Sequence, residues 1–448
     1  MDRRDVKPPR SIHLAIKPRR TKRVHRLHYV RAIGSNSLPR KCLNSLIILI
    51  NLVWHGICIY KGVTTFYTTR CYEVVSKNIF KFVAIAIASL SFAGGTIEIG
   101  DNHSISVGAG LRTALTSVDG DKGFNLQSMR LYVNGSLREK VKFTFNTECE
   151  GCVFGQDSGD PIGAAGDIGV LDAILQFEMS PELNIWVGRM LTPADRIELN
   201  GPYYGLSWNQ YTVPLLPSDQ LGAAGLLGRD DGVTVWGAQG KLQYAAGLFD
   251  GLSGRDSLLF AGRLAYNFLN MEKNPGYYTS STYYGGGGDI FTIGISFQSQ
   301  SDGSGTAAEP SDFSAFIVDG LFEKVLSGGG VVTVEGEYKS FDNDMTATAM
   351  ASPDCFCLFD GSSYFFTAAY LFPNEAGVGK LQPYIRRTSN EPDFDGASES
   401  DLTEIGVNYI INAHNLRVNA NFTNGDANLT GMPGADVDGF SVGFQIQI

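Results

Sequence analysis

Arginine and carboxylate residues lie close together between residues 189 and 231, and together they could bind or repel charged molecules. The arginine fork keeps its charge and donates paired hydrogen bonds to carboxylate or phosphate, while Asp and Glu attract cations. Such a mixture suits the narrow part of a water-filled passage, although the groups could instead neutralise one another as ion pairs. The cluster consists of Arg189, Arg196, Arg229, Asp195, Glu198, Asp230 and Asp231.

Residues suited to catalysis are scarce. After residue 93 the chain has His103 and His414 as its histidines, and it contains no H-E-x-x-H. The zinc motif of metalloproteases is therefore missing from the sequence. We predict that the protein is not an enzyme and needs no metal or cofactor.

Four cysteines follow residue 93, and they form two close pairs. Cys149 and Cys152 belong to "CEGC", and Cys355 and Cys357 belong to "CFC". An even number of cysteines in an exported chain predicts disulfides. Pairing within each motif and pairing between the motifs both fit the spacing, and zinc bound by four thiolates is the alternative.

The charge of the chain is divided between two different regions. Residues 1–93 contain 17 Lys and Arg against three acidic residues, whereas residues 94–448 contain 19 Lys and Arg against 43 Asp and Glu. The acidic region argues against binding to nucleic acid, because that binding requires cations that neutralise phosphates.

The stretch "KNIFKFVAIAIASLSFAGG", which begins at Lys77, has the layout of a secretory signal peptide. Two lysines precede an apolar core, and small residues at Ser91 and Ala93 precede Gly94. The apolar core is too short to anchor the chain as a transmembrane helix. We expect residues 75–93 to be the signal peptide, with cleavage after Ala93.

A basic leader, residues 1–74, precedes this signal peptide. No Met occurs between Met1 and Met129. We interpret the leader as a misassigned start, with translation beginning near Val74 or Val75. The alternative is a genuine extension in which the apolar stretch 44–60 forms a membrane helix.

The remainder, residues 94–448, reads as a transmembrane β-barrel. Segments of about ten residues with alternating apolar character, separated by Gly-rich turns, are typical of barrel strands. Sixteen such segments are predicted, at 103–116, 124–137, 140–149, 169–179, 183–191, 230–239, 241–250, 257–268, 289–300, 311–324, 330–341, 362–372, 379–389, 400–411, 414–423 and 436–448.

The connections between these segments support a barrel with both termini on the periplasmic side. Connections after even-numbered strands are mostly short, and those after odd-numbered strands are long and acidic, as the barrel class requires. Residues 270–288 break the rule, which leaves fourteen or eighteen strands as alternatives. The longest external connection, residues 192–232 between the fifth and sixth strands, is expected to fold inward and narrow the pore; a surface lid is the alternative.

Alternation within strands predicts which side chains face the lumen. In the last strand, "VDGFSVGFQIQI", Phe440, Phe444 and Ile448 share one apolar face, while Ser441 and Gln445 share the other. Because alternate side chains of a strand point to opposite faces, the apolar set should meet lipid. The cations predicted on lumen faces, many of them paired with lumen acids, are Arg130, Lys142, Arg386 and Arg417.

Several phrases of the sequence resemble the phosphate-selective porin O and P family. They are "GRMLTPADR" from Gly188, "GRDDGVTVWG" from Gly228, "LQPYIRR" from Leu381, and "EIGVNYIINAHNLRVNANFTNGD" from Glu404. The resemblance spans most of the chain from about Gly100 onward. It implies a sixteen-stranded trimeric porin, with Arg189, Arg196 and Arg229 near the constriction and Arg386 and Arg417 on strands.

We therefore expect a passive channel in the outer membrane of a Gram-negative cell that passes small hydrophilic solutes or ions, including anions such as phosphate. Its expected partners are the lipid bilayer, lipopolysaccharide, the outer-membrane insertion machinery and two further copies of the chain. The alternative is a structural barrel that sheathes a periplasmic electron carrier, and stepwise conductance in planar bilayers distinguishes the two.

Overall fold

A single closed barrel makes up the part of the chain that the structure describes. The computed structural model describes residues 95–99, 103–118, 120–149, 168–217, 229–251, 256–394, 397–426 and 436–448. Within these ranges, sixteen long antiparallel strands form the barrel. The predicted leader and signal peptide, residues 1–93, lie outside the described residues. No helix in the described ranges is long and apolar enough to cross a membrane.

Two very short strands, β1 and β14, accompany the sixteen long ones. The strands are β1 (Gly95–Glu98), β2 (Ser104–Val118), β3 (Asp121–Arg138), β4 (Val141–Cys149), β5 (Ile168–Ser180), β6 (Leu183–Met190), β7 (Asp230–Gln239), β8 (Leu242–Phe249), β9 (Leu259–Asn267), β10 (Ile290–Gly305), β11 (Pro310–Val325), β12 (Val331–Asn343), β13 (Gly361–Leu371), β14 (Glu375–Ala376), β15 (Gly379–Pro392), β16 (Ser400–Asn412), β17 (Leu416–Asp426) and β18 (Asp436–Gln447).

The barrel closes where the last strand meets the first long one. β18 pairs antiparallel with β2, with Phe444 opposite Thr113, and the chain end is held by a hydrogen bond from the Ile448 N–H to the Ala109 carbonyl at 2.9 Å. β13 pairs directly with β15, so β14 is only a small hairpin at the edge of β15. Closure leaves no unpaired strand edge among the long strands, which is what hydrocarbon requires.

The predicted strand count and order are confirmed. Each of the sixteen predicted segments coincides with one long strand to within a few residues, and the C-terminal segment becomes β18. The long connection at 270–288 does not shift the count, because it folds into the barrel instead of forming an extra hairpin. We call the barrel end that carries Ile448 the periplasmic end and the opposite end the external end.

Alternation places apolar side chains on the outside and polar ones in the lumen. On β18, Phe440 and Phe444 are exposed on the outer face, whereas Ser441 and Gln445 are buried inside. The prediction for the closing strand is thus confirmed. A row of apolar side chains on the outer face suits contact with lipid, since burial of that area from water is favourable.

Two segments fold into the lumen from opposite ends. The inward loop, residues 191–217, enters from the external end after β6 and contains helix α1 (Arg196–Tyr204). The inward turn, residues 268–289, enters from the periplasmic end between β9 and β10. Asp195 begins α1 by accepting a hydrogen bond from the Glu198 N–H at 3.0 Å, a standard N-cap interaction. The predicted inward fold of the loop is therefore observed, here between β6 and β7.

One glycine of the wall accommodates a tryptophan of the inward loop. A Cβ at Gly443 of β18 would lie closer than 3.0 Å to the Trp208 ring, a separation that real Cβ atoms essentially never show. The missing side chain thus forms a notch that receives Trp208.

Candidate functional site in the barrel lumen

Lys339 of β12 fixes the inward loop to the barrel wall. Its ammonium lies 2.7 Å from Asp195 Oδ2 and 2.8 Å from Glu198 Oε1, and it donates to the Pro214 carbonyl at 3.0 Å. The side chain is 0% exposed. A buried ammonium must be paired, so these contacts hold the N-terminal turn of α1 and the later part of the loop against β12.

The two loop carboxylates, Asp195 and Glu198, share Lys339 with Glu337 of β12, which lies 3.6 Å from the ammonium, and they also affect each other. Burial raises the pKa of Asp195 to about 7; the nearby Glu198 carboxylate adds to this shift and the Lys339 ammonium opposes it. The arrangement therefore depends on the cation: without Lys339, two acids would face each other in a site with little water.

Arg196 joins the two inward segments to each other and to the wall. Its guanidinium makes a two-pronged contact with Glu272 of the inward turn, at 2.7 and 2.9 Å, and donates to the Ser280 carbonyl at 2.9 Å. Its Nε lies 3.4 Å from Asp319 of β11, which also pairs with Arg263 of β9. Although burial opposes the shift, the Arg196 guanidinium holds the pKa of Glu272 below its usual value.

Three further arginines of the wall surround the tip of the inward loop. Arg386 Nη1 donates to Ser207 Oγ at 2.7 Å, and Arg417 Nη1 donates to the Gly205 carbonyl at 2.6 Å. Arg112 Nη2 donates to the Trp208 carbonyl at 3.0 Å while its guanidinium covers the Trp208 ring. Arg386 and Arg417 thus reach the inward loop and hold it in place.

The other two predicted lumen cations lie on the wall formed by β3 and β4, next to β2. Arg130 of β3 pairs with Glu148 at 2.5 Å and lies 5.1 Å from the centre of the Tyr203 ring of α1. Lys142 of β4 pairs with Glu178 of β5 and is 42% exposed. Lys142 and Glu178 therefore lie in a more open setting, whereas Arg130 and Glu148 are largely buried.

The residues predicted to form the constriction lie in different parts of the structure. Arg196, Asp195 and Glu198 lie inside the inward loop, as described above. Arg229 pairs with Asp172 at 2.8 Å on the lumen side of β5, and Asp230 is buried, accepting from the Gly251 N–H at 2.8 Å.

Arg189 and Asp231 do not belong to the constriction, so their assignment to it was wrong. They form a two-pronged pair, with both distances 2.9 Å. On β6, Asn184 and Trp186 are buried and point to the inner face. Because side chains alternate along a strand, Val187 and Arg189 point to the outer face. Closeness in sequence to Arg196 was misleading, since the strand ends between them.

The inward turn is held by aromatic packing and by acids of the wall. Tyr277 and Tyr278 pack against Trp186 of β6, with ring centres 5.5 and 5.6 Å apart. The Thr282 hydroxyl and the Tyr283 N–H both donate to Glu323 of β11, at 2.8 and 2.9 Å. The turn therefore fills the lumen next to β6 and β11.

His414, in the turn between β16 and β17, also contacts the inward turn. Its Nε2–H donates to the Thr282 carbonyl at 2.9 Å, and its ring lies beside Tyr204 and Tyr284. Burial lowers the pKa of His414 to about 4, with the Arg417 charge adding to this effect. At neutral pH the ring is uncharged.

We expect the inward turn to loosen as the pH falls. A histidine with a pKa of about 4 when folded and about 6.5 when released stabilises the closed turn fully above pH 6.5, and this stability is lost as the pH falls toward 4. The loss should be about 2 kcal/mol, given about 1.4 kcal/mol per pKa unit and the partial exposure of the ring. Lower protection factors for the backbone amides of residues 277–285 at pH 4.5 than at pH 7.5, after correction for the intrinsic pH dependence of amide exchange, would show it. His414→Gln should remove the pH dependence and His103→Gln should keep it; a dependence that survives His414→Gln contradicts the explanation.

Sequence reasoning missed the residues that position the loop most strongly. Lys339, Arg263, Asp319 and Glu272 were not among the predicted site residues. Alternation within "VVTVEGEYKSF" places Lys339 on the face of Glu335 and Glu337, so strand parity alone could have nominated it. Glu272 gave no signal, because it belongs to the connection that was expected to be a periplasmic turn.

The cysteines form a local disulfide at the external end. Cys355 is bonded to Cys357, and Cys149 is also disulfide-bonded, whereas Cys152 lies outside the described residues. A bridge from Cys355 to the other motif is thereby excluded. Within the described ranges, no group of three or more His, Cys, Asp or Glu side chains is arranged to hold a metal ion.

Polar side chains remain accessible along one wall of the lumen. Asn134 of β3 is exposed, and Lys142, Thr144 and Asn146 of β4 are partly exposed. Their counterparts on the facing wall, such as Gln298 of β10, are buried under the inward loop. The described residues thus leave the accessible lumen next to β3 and β4, narrowed where Arg130 meets Tyr203.

Comparison with known proteins gives fold relatives of low identity. OmpF of Salmonella typhi, in complex with daunomycin, has a TM-score of 0.52 and 12% sequence identity, over 79% of this chain and 100% of that chain. In-vitro folded OmpT of Vibrio cholerae has a TM-score of 0.49 and 15% identity, over 79% and 99%. The outer membrane channel DcaP of Acinetobacter baumannii has a TM-score of 0.47 and 10% identity, over 80% and 100%. No curated protein matches the chain.

The family comparison is more direct. The family model described as phosphate-selective porin O and P matches residues 106–448, which cover β3 to β18 and nearly all of β2. The closed barrel, its lumen charges and its inward loop agree with a passive channel of the outer membrane. This chain belongs to the phosphate-selective porin O and P family.

Proposed function

We propose that small hydrophilic solutes and ions cross this porin along the wall of β3 and β4. The observation that carries the proposal is the contrast in exposure between Asn134 and Lys142 on that wall and the buried polar side chains beneath the inward loop. Hydrophilic side chains that keep contact with water offer a passing solute a polar surface without a dehydration cost.

The narrowest part of this route has charges of both signs. Arg130 and Glu148 pair at 2.5 Å, and Lys142 pairs with Glu178 farther toward the periplasmic end. Because each cation is accompanied by an acid, the route should be weakly selective between anions and cations. Phosphate can pass beside Arg130 and Lys142, but the guanidiniums of Arg386 and Arg417 are turned to the inward loop.

Removing one member of the Arg130–Glu148 pair should change the ion preference in opposite directions. Arg130→Ala leaves a carboxylate at the narrow part and should favour cations, whereas Glu148→Gln should favour anions, each by about threefold in permeability ratio. Reversal potentials in planar bilayers under a potassium chloride gradient measure this preference.

The control for this experiment is Lys324→Ala, which removes an exposed pair with Asp289 at the periplasmic rim. It should leave the reversal potential unchanged. A folded barrel without stepwise conductance would overturn the channel proposal. Unchanged reversal potentials in both lumen variants would show that solutes cross by another route. Strong block of the chloride current by low phosphate would contradict weak selectivity.

We further propose that the mature porin begins at Gly94, after signal-peptide cleavage, and assembles as a homotrimer in contact with lipid and lipopolysaccharide after delivery by the outer-membrane insertion machinery. Support comes from the signal-like sequence before Gly94 and from the family. Mass spectrometry of the N-terminal peptide and of the native oligomer tests both parts. A mature peptide that includes residues before Gly94, or a stable monomer, would contradict them.

A further inference from the structure

A cavity of about 580 Å³ lies at the external end of the barrel, away from the β3–β4 wall. It is formed where β12 ends, around the short helix α2 (Ala347–Met350), and beside the ends of β13 and β15. Its size falls within the range of about 300–1,000 Å³ that is common for small-molecule sites.

Carboxylates and apolar side chains share the lining of this cavity. Asp344, Asp360 and Asp393 supply the acids, and Met345, Met350 and Phe394 supply apolar surface. Within the described ranges, none of the ion pairs involves these three aspartates. The cavity therefore has uncompensated negative charge next to an apolar surface.

A buried amide of the lining has an unused acceptor. Asn343 is 1% exposed and donates from Nδ2 to the Phe359 carbonyl at 2.5 Å. Its Oδ1 has no hydrogen-bond partner among the described residues. A buried acceptor without a partner destabilises the fold by about 1–3 kcal/mol. A hydrogen-bond donor from a bound molecule would remove this penalty.

These features select an organic cation over a metal ion. A calcium ion needs about 6–8 oxygen ligands around one point, and the described acids do not converge in that way. Ammonium groups separated by methylenes can reach carboxylates at several places on a cavity wall, and thioether and aromatic side chains accept the methylenes.

We propose that this external cavity binds an aliphatic polyamine. Its ammonium groups pair with Asp360, Asp393 and Asp344, one N–H is donated to Asn343 Oδ1, and its methylenes lie against Met345 and Met350. The site is separate from the solute route and does not depend on channel activity.

The binding should depend on pH through Asp360. Burial, with the charges of Asp342, Asp393 and Asp344, raises the pKa of Asp360 to about 6, although the Asn343 N–H opposes the shift. Since a protonated carboxyl no longer pairs with an ammonium, polyamine binding should weaken as the pH falls through about 6.

Calorimetric titration of the folded porin in detergent with spermidine tests the proposal. The native protein should bind saturably at pH 7.5. Asp360→Asn and Asp393→Asn should each weaken binding about fivefold, as expected for loss of one partly exposed ion pair. Asp354→Asn is the matched control, because Asp354 is exposed in the same loop but does not line the cavity. Gel mobility of the unheated protein confirms that each variant is folded.

Met350→Lys gives an independent test that removes no acid. Met350 is only partly buried, so the lysine can place its ammonium among the aspartates and exclude spermidine. Absence of saturable binding to the native protein, equal weakening by Asp354→Asn, or unchanged binding to Met350→Lys would each overturn the proposal. Calcium binding that requires Asp360, in the absence of spermidine binding, would overturn it in favour of a metal site.

Discussion

Replacement of Lys339 by methionine should release the inward loop and raise the single-channel conductance several-fold. The change leaves the Asp195 and Glu198 carboxylates buried without their cation, and loss of one member of a buried ion pair costs about 3–5 kcal/mol. The loop can escape this cost by moving its acids into water, which widens the lumen. Planar-bilayer recordings measure the conductance, and limited proteolysis within residues 191–217 measures the release.

Lys324→Met is the matched control, because Lys324 belongs to an exposed pair with Asp289. Exposed pairs contribute about 0–1 kcal/mol, so conductance and protease resistance should stay at their native values. Adding Asp195→Asn, Glu198→Gln and Glu337→Gln to Lys339→Met should restore much of the closed loop, since none of the three acids around Lys339 then remains as a buried charge without its cation. Native conductance and an intact loop in the single variant would show that other contacts suffice to hold it.

Replacement of Gly443 by alanine should displace Trp208 and destabilise the closed barrel by about 1–3 kcal/mol, the usual cost of adding atoms to a packed site. The new methyl group would overlap the Trp208 ring, and the backbone of β18 cannot move away without breaking its pairing with β2 and β17. Movement of Trp208 also removes the surface that Arg112 covers. The temperature at which folded gel mobility is lost measures stability, and tryptophan fluorescence reports the displacement.

Gly328→Ala controls for the general effect of a glycine substitution, because a Cβ there meets nothing within 4 Å. It should leave both measurements unchanged. The double variant Gly443→Ala with Trp208→Ala should regain part of the lost stability by removing the overlap. Equal losses for Gly443→Ala and Gly328→Ala would contradict the notch.

The strand pattern was predictable because alternation is a local property of the sequence. In β18 the apolar set Phe440, Phe444 and Ile448 required one register and one orientation, since a slip by one residue would turn these side chains into the lumen. The same parity placed Arg386 and Arg417 on the inner wall before any tertiary contact was known. Long strands with regular alternation therefore defined both the count and the lumen faces.

The contacts inside the lumen were not predictable in the same way. Arg196 and Glu272 are separated by 76 residues, and Lys339 and Glu198 by 141 residues. These partners depend on the path of two irregular segments, for which neither periodicity nor turn chemistry gives a rule. Arg189 shows the opposite problem. Its closeness in sequence to Arg196 suggested a shared place at the constriction, but the alternation of side chains along β6 directs Arg189 to the outer face.

The contacts of the inward loop with the closing strands have a consequence for biogenesis. Gly205 is held by Arg417, which lies 212 residues later in the chain, and Trp208 occupies a notch in β18 itself. Contacts between such distant parts of a chain form late in folding. The loop can therefore reach its final position only after the C-terminal strands have been delivered and the seam has closed. During membrane insertion the nascent barrel would have a wide, unobstructed interior. The inward loop would take its final position, and narrow the lumen, in the last step of assembly.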